Sequence, residues 1–302
     1  MTDYKEIFDF AAENGCKTSY NEPMSAHTSF KIGGEAALFI VPKNADSLKA
    51  VLKKCKDCSA RVILLGNGSN MLFADGKIDA VVVSMCFDSA EVRYLGSGRI
   101  KSDAGVSLMR VCRLALSHSL SGLEFAYGIP GSVGGAVYMN AGAYGGEIKD
   151  IIEECEYLTP QGEIKVMKKD DMLFGYRKSV FSENSCAVLS ATFALKNGSA
   201  QEIKSKMDDF MSRRKSKQPL EYPSAGSVFK RPEGYFAGAL IEECSLKGFS
   251  IGGAQVSEKH AGFIINKGSA SAKDVMELIE YIKDKVLKEK GVKLEPEIKL
   301  IG

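Results

Sequence analysis

The sequence predicts an α+β protein of two domains, and three observations predict it. Helical and strand periodicities interleave along the whole chain instead of keeping to one kind. At roughly 150 residues per domain, 302 residues make about two. Hydrophobic residues at 45% and charged residues at 26% are globular proportions with ample material for buried cores, which excludes a disordered chain. The balance of 40 Lys+Arg against 38 Asp+Glu leaves a formal charge of +2, so a whole-surface grip on nucleic acid is excluded, although a local basic patch is not. No stretch approaches the roughly 18 apolar residues that cross a bilayer, since the best, Val62 to Leu65 and Ala80 to Val83, are strand-sized.

Met1 to Phe10 mixes acidic with apolar residues, so it opens as an amphipathic helix and not as a signal peptide, and a cytosolic address is expected. Asn44 to Cys55 is a helix, with Leu48, Val51, Leu52 and Cys55 on one face and Asn44 as its cap. Strands follow at Arg61 to Leu65 and Asp79 to Met85, and Ser107 to His118 is a helix with Leu108, Val111, Cys112 and Ala115 on one face. From Gly122 to Gly146 there are eight glycines in 25 residues, a segment that presents backbone. Cys155 to Leu158 and Gly162 to Met167 form a hairpin around Pro160-Gln-Gly162, and Ala187 to Leu195 alternates as a strand. Asn197-Gly-Ser199 is the candidate domain boundary. Ser199 and Glu202 then make a capping box for a helix with Ile203, Met207, Phe210 and Met211 as its buried stripe and a basic end, Arg213 to Lys217. A last long helix runs from Lys273 to Lys290 with Gly291 as its stop, and Val292 to Ile301 closes the chain as a strand.

The eight cysteines are scattered through a chain with no export signal, so reduced thiols are expected. Cys55-Lys-Asp-Cys58 has the spacing of a zinc or redox pair, but no second pair accompanies it and the only histidines are His27, His118 and His260. No metal site is expected, and the pair is read as an ordinary helix C-terminus.

Two stretches carry chemistry. Gly66-Asn-Gly-Ser-Asn70 follows a strand, so its amides can face a phosphate or pyrophosphate, with a plain tight turn as the alternative. It is neither a dinucleotide fingerprint, whose third glycine would fall at Met71, nor a P-loop. Gly128 to Gly146 repeats the logic over a longer span: glycines admit a flat or charged ligand, while Ser132 and Asn140 supply hydrogen bonds. A glycine-rich loop packed on itself is the alternative there.

Six motifs in order then carry a resemblance that covers the chain from about Thr28 to Gly302. They are Thr28-Ser-Phe-Lys-Ile-Gly-Gly34, Gly66-Asn-Gly-Ser-Asn70, Gly128-Ile-Pro-Gly-Ser-Val-Gly-Gly135, Gly175-Tyr-Arg-Lys-Ser179, Ser224-Ala-Gly-Ser-Val-Phe-Lys-Arg-Pro232 and Leu294-Glu-Pro-Glu297. Together they resemble the UDP-N-acetylenolpyruvoylglucosamine reductases, FAD enzymes that make UDP-N-acetylmuramate for bacterial peptidoglycan. Lys230-Arg-Pro232, where the better-known branch has asparagine in the middle, and the lack of an extra tyrosine-bearing loop over residues 178–200 resemble the shorter second type.

The resemblance implies an FAD-binding domain of the vanillyl-alcohol oxidase/PCMH type over residues 1–197, in two subdomains with a break near 66–85, followed by a smaller α+β substrate-binding domain over 198–302. It implies noncovalent FAD held by Gly66, Asn67, Gly68, Ser69, Asn70, Gly131, Ser132, Gly134, Gly135, Asn140, Ala141 and Gly142. NADPH is implied as co-substrate and UDP-N-acetylglucosamine enolpyruvate as acceptor, on a cytoplasmic monomer without a nucleic-acid or membrane partner. Arg177 matches the family's catalytic arginine, Ser227 its proton donor and Glu297 its catalytic carboxylate, whose pKa should be raised if it is buried. Lys230 or Arg231 is expected to steady the Ser227 alkoxide. Tyr176, Lys217 and Arg231 are the expected substrate-binding residues, the two cations for the diphosphate, and Tyr222 and Tyr235 could pack on uracil or sugar. His260 falls where the family places a polar substrate contact, with an ordinary hydrogen-bonded histidine as the alternative. Two other readings remain: a different FAD oxidoreductase of an alcohol or sugar on the same scaffold, and a nucleotide- or RNA-binding module using Gly66 to Asn70 and Arg213 to Lys217.

Overall fold

A computed structural model describes residues 2–302. The chain forms two compact units, one of Met1–Tyr20, Leu38–Asn67 and Ala80–Arg213, the other of Asn21–Ala37, Gly68–Asp79 and Arg214–Gly302. This differs from the expected break after residue 197. The helix that follows that point buries Ile203 and Met207 in the core of the first unit, so most of it belongs there.

In the first unit, α1 (Tyr4–Glu13) is capped by Asp3, whose carboxylate accepts from Glu6 N at 3.0 Å. The expected second helix, α2, spans Ala45–Asp57, and its Asn44–Ser47 capping box is present. Both pack on a four-stranded sheet of order Lys17–Pro23, Glu35–Val41, Lys77–Ser84, Val62–Leu65, with Ile7, Leu48, Val51, Val81 and Val83 in the shared core. A five-stranded antiparallel sheet has the order Ile164–Lys168, Ile152–Leu158, Ala187–Ala194, Arg99–Asp103, Val92–Gly96. The hairpin around residues 160–162 appears as expected. Ala187–Ala194, however, does not alternate in burial: it is buried from Ala187 to Phe193. As the central strand it feeds Leu189 into the first core and Val188, Ala191 and Phe193 into a second, which holds both its faces away from water.

That second core also takes α3 (Leu108–Ser117), whose Leu108, Val111, Cys112 and Ala115 are the expected face, and α4 (Val133–Met139). The sequence showed no helix inside Gly128 to Gly146, because Gly134 and Gly135 mask its periodicity. The following helix, α5 (Ala200–Lys217), buries Ile203 and Met207, while Phe210 and Met211 are only half-buried.

The second unit has an antiparallel sheet of order Ser224–Ser227, Phe263–Asn266, Ala254–Val256, Ser250–Ile251, with α6 (Ala237–Glu243) and α7 (Ala272–Lys290). Val275, Ile279 and Ile282 of α7 share a core with Phe30, Ile32 and Leu72 from the two early segments. The Asp75 carboxylate accepts from Ala272 N at 2.9 Å and Lys273 N at 3.0 Å, capping α7 across 197 residues of chain. Gly291 ends α7 at φ +69°, as expected of a left-handed C-cap. The strand expected over residues 292–301 shrinks to Lys299–Ile301, which pairs in parallel with Met71–Phe73. Pro296, which has no amide hydrogen, interrupts the rest and leaves an isolated bridge to Phe229.

All eight cysteines are free thiols. Burial pushes the Cys55 thiol up to about 12, and Cys58 is the C-cap of α2. Among the described residues no group of His, Cys, Asp or Glu side chains gathers as a metal site, and no helix is long and apolar enough to cross a membrane.

Candidate active site

In the first unit the two glycine-rich stretches meet. A Cβ on Gly66 would stand 2.4 Å from Ser132 Oγ, so a side chain there would displace that hydroxyl, and Asn67 Nδ2 donates to Pro130 O at 3.1 Å. The turn from Gly66 to Asn70 joins strand Val62–Leu65 to strand Met71–Phe73 and carries the chain from one unit into the other. Gly68 has φ +59°, and a Cβ there would stand 2.2 Å from His27 O. The amide hydrogens of Asn67, Gly68, Ser69 and Asn70, and those of Gly131 and Ser132, are given to no acceptor among the described residues. Rows of amides of this kind suit a polyanion.

Other members of the expected set serve the fold. Gly134 N donates to Ala104 O at 2.8 Å, and Gly135 N is taken by the Ser132 hydroxyl, the N-cap of α4, at 3.4 Å. Ala141 N closes the end of α4 on Ala136 O at 2.9 Å. Gly142 lies opposite Glu147, where a Cβ would meet Glu147 Cγ at 2.7 Å. Asn140 has a fixed place in the protein. It is the left-handed C-cap of α4 at φ +44°, wholly buried, and its side chain is spent inside the protein. Nδ2 donates to Glu147 Oε2 and to Gly175 O, both at 2.9 Å, and Oδ1 accepts from Lys149 N at 3.0 Å. With both amide hydrogens used it has none for a ligand.

Arg177 stands in a tight turn closed by Gly175 N to Lys178 O at 2.9 Å. Its φ of +54° is a left-handed conformation that a side chain of its size rarely takes, which marks a strained position. The guanidinium Nη2 donates to Gly142 O at 3.1 Å and lies 5.1 Å from the ring centroid of Tyr176, which is exposed. Glu147 beside it is held below the ordinary glutamate range by hydrogen bonds from Lys149 and Asn140, with the charges of Lys149 and Arg177 adding to them against a burial penalty.

In the second unit Ser227 ends the strand Ser224–Ser227, and Glu297 follows the isolated bridge between Pro296 and Phe229. Glu297 N donates to Val228 O at 2.7 Å, and Asn70 Nδ2 donates to Glu297 O at 3.2 Å, so the end of the Gly66 to Asn70 turn holds the segment that bears the carboxylate. Glu297 is half-buried. Ser227 Oγ donates to Phe229 O at 3.3 Å. Two of the expected cations have other partners in this structure. Lys230 pairs with Glu295 at 3.4 Å, and the Arg231 guanidinium lies 4.0 Å from the Phe236 ring centroid with Nε donating to Tyr235 O at 3.3 Å. Lys217 is exposed at the end of α5. Tyr222 faces Lys267 Nζ at 4.8 Å, and Tyr235 is exposed.

His260 and Ser227 both border Gly262. A Cβ on Gly262 would stand 3.5 Å from Ser227 Oγ and 3.1 Å from His260 Cε1. His260 Nδ1 accepts from Gly262 N at 3.1 Å, which places the ring proton on Nε2. Burial lowers its pKa, and the Lys247 and Lys217 charges lower it further, against a raising backbone hydrogen bond and Glu242. The signal for this neighbour was present in His260-Ala-Gly262, a small-residue approach after a histidine. Nothing in the sequence pairs Asn140 with Gly175.

Residues 36–168 match the FAD binding domain. A glucooligosaccharide oxidase from Acremonium strictum has a TM-score of 0.51 over 98% of this chain and 60% of its own, at 11% identity, a likeness of fold alone. The matched FAD binding domain and the mixed helix-and-strand fold define the class, an FAD-binding oxidoreductase. Residues 218–301 match the C-terminal domain of UDP-N-acetylenolpyruvoylglucosamine reductase. The reductase of that name from Clostridium novyi (strain NT) is 50% identical over 279 residues, 92% of this chain and 90% of the relative. The Thermus caldophilus enzyme, in its crystal structure, has a TM-score of 0.81 at 33% identity, covering 95% of this chain and 99% of that one. The chain belongs to the UDP-N-acetylenolpyruvoylglucosamine reductase family.

Proposed function

We propose that this protein reduces the enolpyruvyl group of UDP-N-acetylglucosamine enolpyruvate to UDP-N-acetylmuramate, with NADPH as reductant, as a cytoplasmic monomer supplying peptidoglycan precursor. The observation that carries the reading is Arg177, held in a strained left-handed turn inside a motif the family shares. Bound noncovalently, FAD would supply the hydride relay between NADPH and the enolpyruvyl double bond. The amides of Asn67, Gly131 and Ser132 in the first unit would hold its pyrophosphate, since no acceptor among the described residues takes them. No histidine lies in either loop to form a covalent flavin link.

Addition of hydride to the terminal enolpyruvyl carbon puts negative charge on the neighbouring carbon and, by conjugation, on the carboxylate. The Arg177 fork answers that charge with two parallel donors. Ser227 gives its proton to the carbon, and Glu297 assists protonation through water. A serine is a weak acid, so its proton must be replaced from a neighbour in the same turnover. His260, with its proton on Nε2, flanks Gly262 together with Ser227 in the second unit and is our candidate for that neighbour. Tyr176, Lys217 and Arg231 bind the UDP-sugar, the two cations through its diphosphate.

An anaerobic absorbance titration tests the whole reading. Flavin bands of the purified protein should bleach with NADPH and return only when the enolpyruvyl substrate is added. A protein that binds no FAD, or whose reduced flavin ignores that substrate, would refute it.

A further inference from the structure

We propose that Asn140 is a positioning residue for Arg177, and not a ligand of the cofactor. Its contacts close a ring. Asn140 Nδ2 holds Gly175 O at 2.9 Å, at the foot of the turn that bears Arg177. Arg177 Nη2 reaches Gly142 O at 3.1 Å. Gly142 pairs across a short hairpin with Glu147, and the Glu147 carboxylate returns to Asn140 Nδ2 at 2.9 Å. A second pin, Ser179 Oγ to Tyr138 O at 2.8 Å, fixes the far side of the same turn to the last residues of α4. Every polar atom of the Asn140 side chain is used in or beside this ring, and the residue is 0% exposed.

The ring explains how a left-handed arginine persists. Tyr176-Arg177 has no glycine at the turn position that needs positive φ, so the conformation must be imposed by what surrounds it. The hydrogen bonds of the buried Asn140 at the foot of the turn impose it, and so aim a guanidinium that would otherwise sample many rotamers. The segment expected to contact the cofactor and the arginine expected to meet the substrate carboxylate are thereby one mechanical piece of the first unit.

The inference rests on the proposed role of Arg177, and the test separates the two. Asn140→Gly keeps the left-handed backbone, which glycine takes without cost, and removes the three side-chain bonds. In the holoenzyme, NADPH reduction of the flavin should stay within about twofold, while reoxidation by the enolpyruvyl substrate slows roughly tenfold to a hundredfold. In an Arg177→Met background the same substitution should add nothing, because the effect passes through the arginine. Equal slowing in both backgrounds, or loss of FAD binding and NADPH reduction, would overturn the inference. So would normal reoxidation in Asn140→Gly, which would make the residue a helix stop alone. If Arg177→Met by itself reoxidises normally, the role of Arg177 fails and the inference with it, an outcome visible before Asn140 is touched. Should Asn140→Gly not fold, Glu147→Ala opens the same ring at a half-exposed position, and the same dependence on Arg177 is required of it.

Discussion

Arg177, Ser227 and His260 make separable demands on single side chains. Arg177→Lys conserves charge but loses the planar fork, so turnover should fall at least about tenfold, and near-normal turnover would show that charge alone matters. Ser227→Ala should leave NADPH reduction of the flavin unchanged and slow reoxidation by about a hundredfold or more, read by stopped flow; equal loss in both half-reactions would refute proton donation. His260 has a folded pKa below its ordinary 6.5, chiefly through burial. Its neutral form is therefore the stabilised one: the contribution is complete above pH about 6.5 and is lost as pH falls through the lowered folded value. His260→Gln should flatten the fall in melting temperature between about pH 6.5 and pH 5, and an unchanged slope would remove the histidine from that account.

Elements were legible in the sequence where their signals are local. Asn44 marks the start of α2 and Gly291 the end of α7, and the apolar face Leu108, Val111, Cys112 and Ala115 marks α3, so all three fall within two residues of expectation. Signals that depend on distant partners were not. Nothing near Ala187 says that its strand lies between two cores, nor that Pro296 sits opposite Phe229, nor that Asn140 reaches Gly175. The site was legible as motifs and not as contacts: Gly175 to Ser179 stood out in the sequence, and the hydrogen bonds that tie it to Asn140 and Gly142 did not. Glycines show the same division between local and distant causes. Gly291 has open space where a Cβ would go but φ +69°, so Gly291→Ala should cost about 1 kcal/mol. A Cβ on Gly34 would stand 1.8 Å from Gly76 O, so Gly34→Ala should cost about 3 kcal/mol or more. Denaturant midpoints of the two variants check the order, and a smaller effect at Gly34 would show that its neighbour yields.

At the scale of the whole molecule, the second unit is drawn from three separate stretches of chain. Phe30, Ile32 and Leu72 lie in its core, Met71–Phe73 supplies the partner of its last strand, and Asp75 caps its longest helix. A fragment of residues 198–302 lacks all of these. It should show no cooperative thermal transition by circular dichroism, whereas a sharp one would make the C-terminal part a domain in its own right. The same discontinuity bears on the order of synthesis. On the ribosome, Ser29 waits for Ser224 and Asp75 waits for Ala272, partners that emerge close to 200 residues later. The early segments therefore leave the exit tunnel as apolar, unpartnered chain, and during that interval they are where a chaperone would bind or a protease would cut.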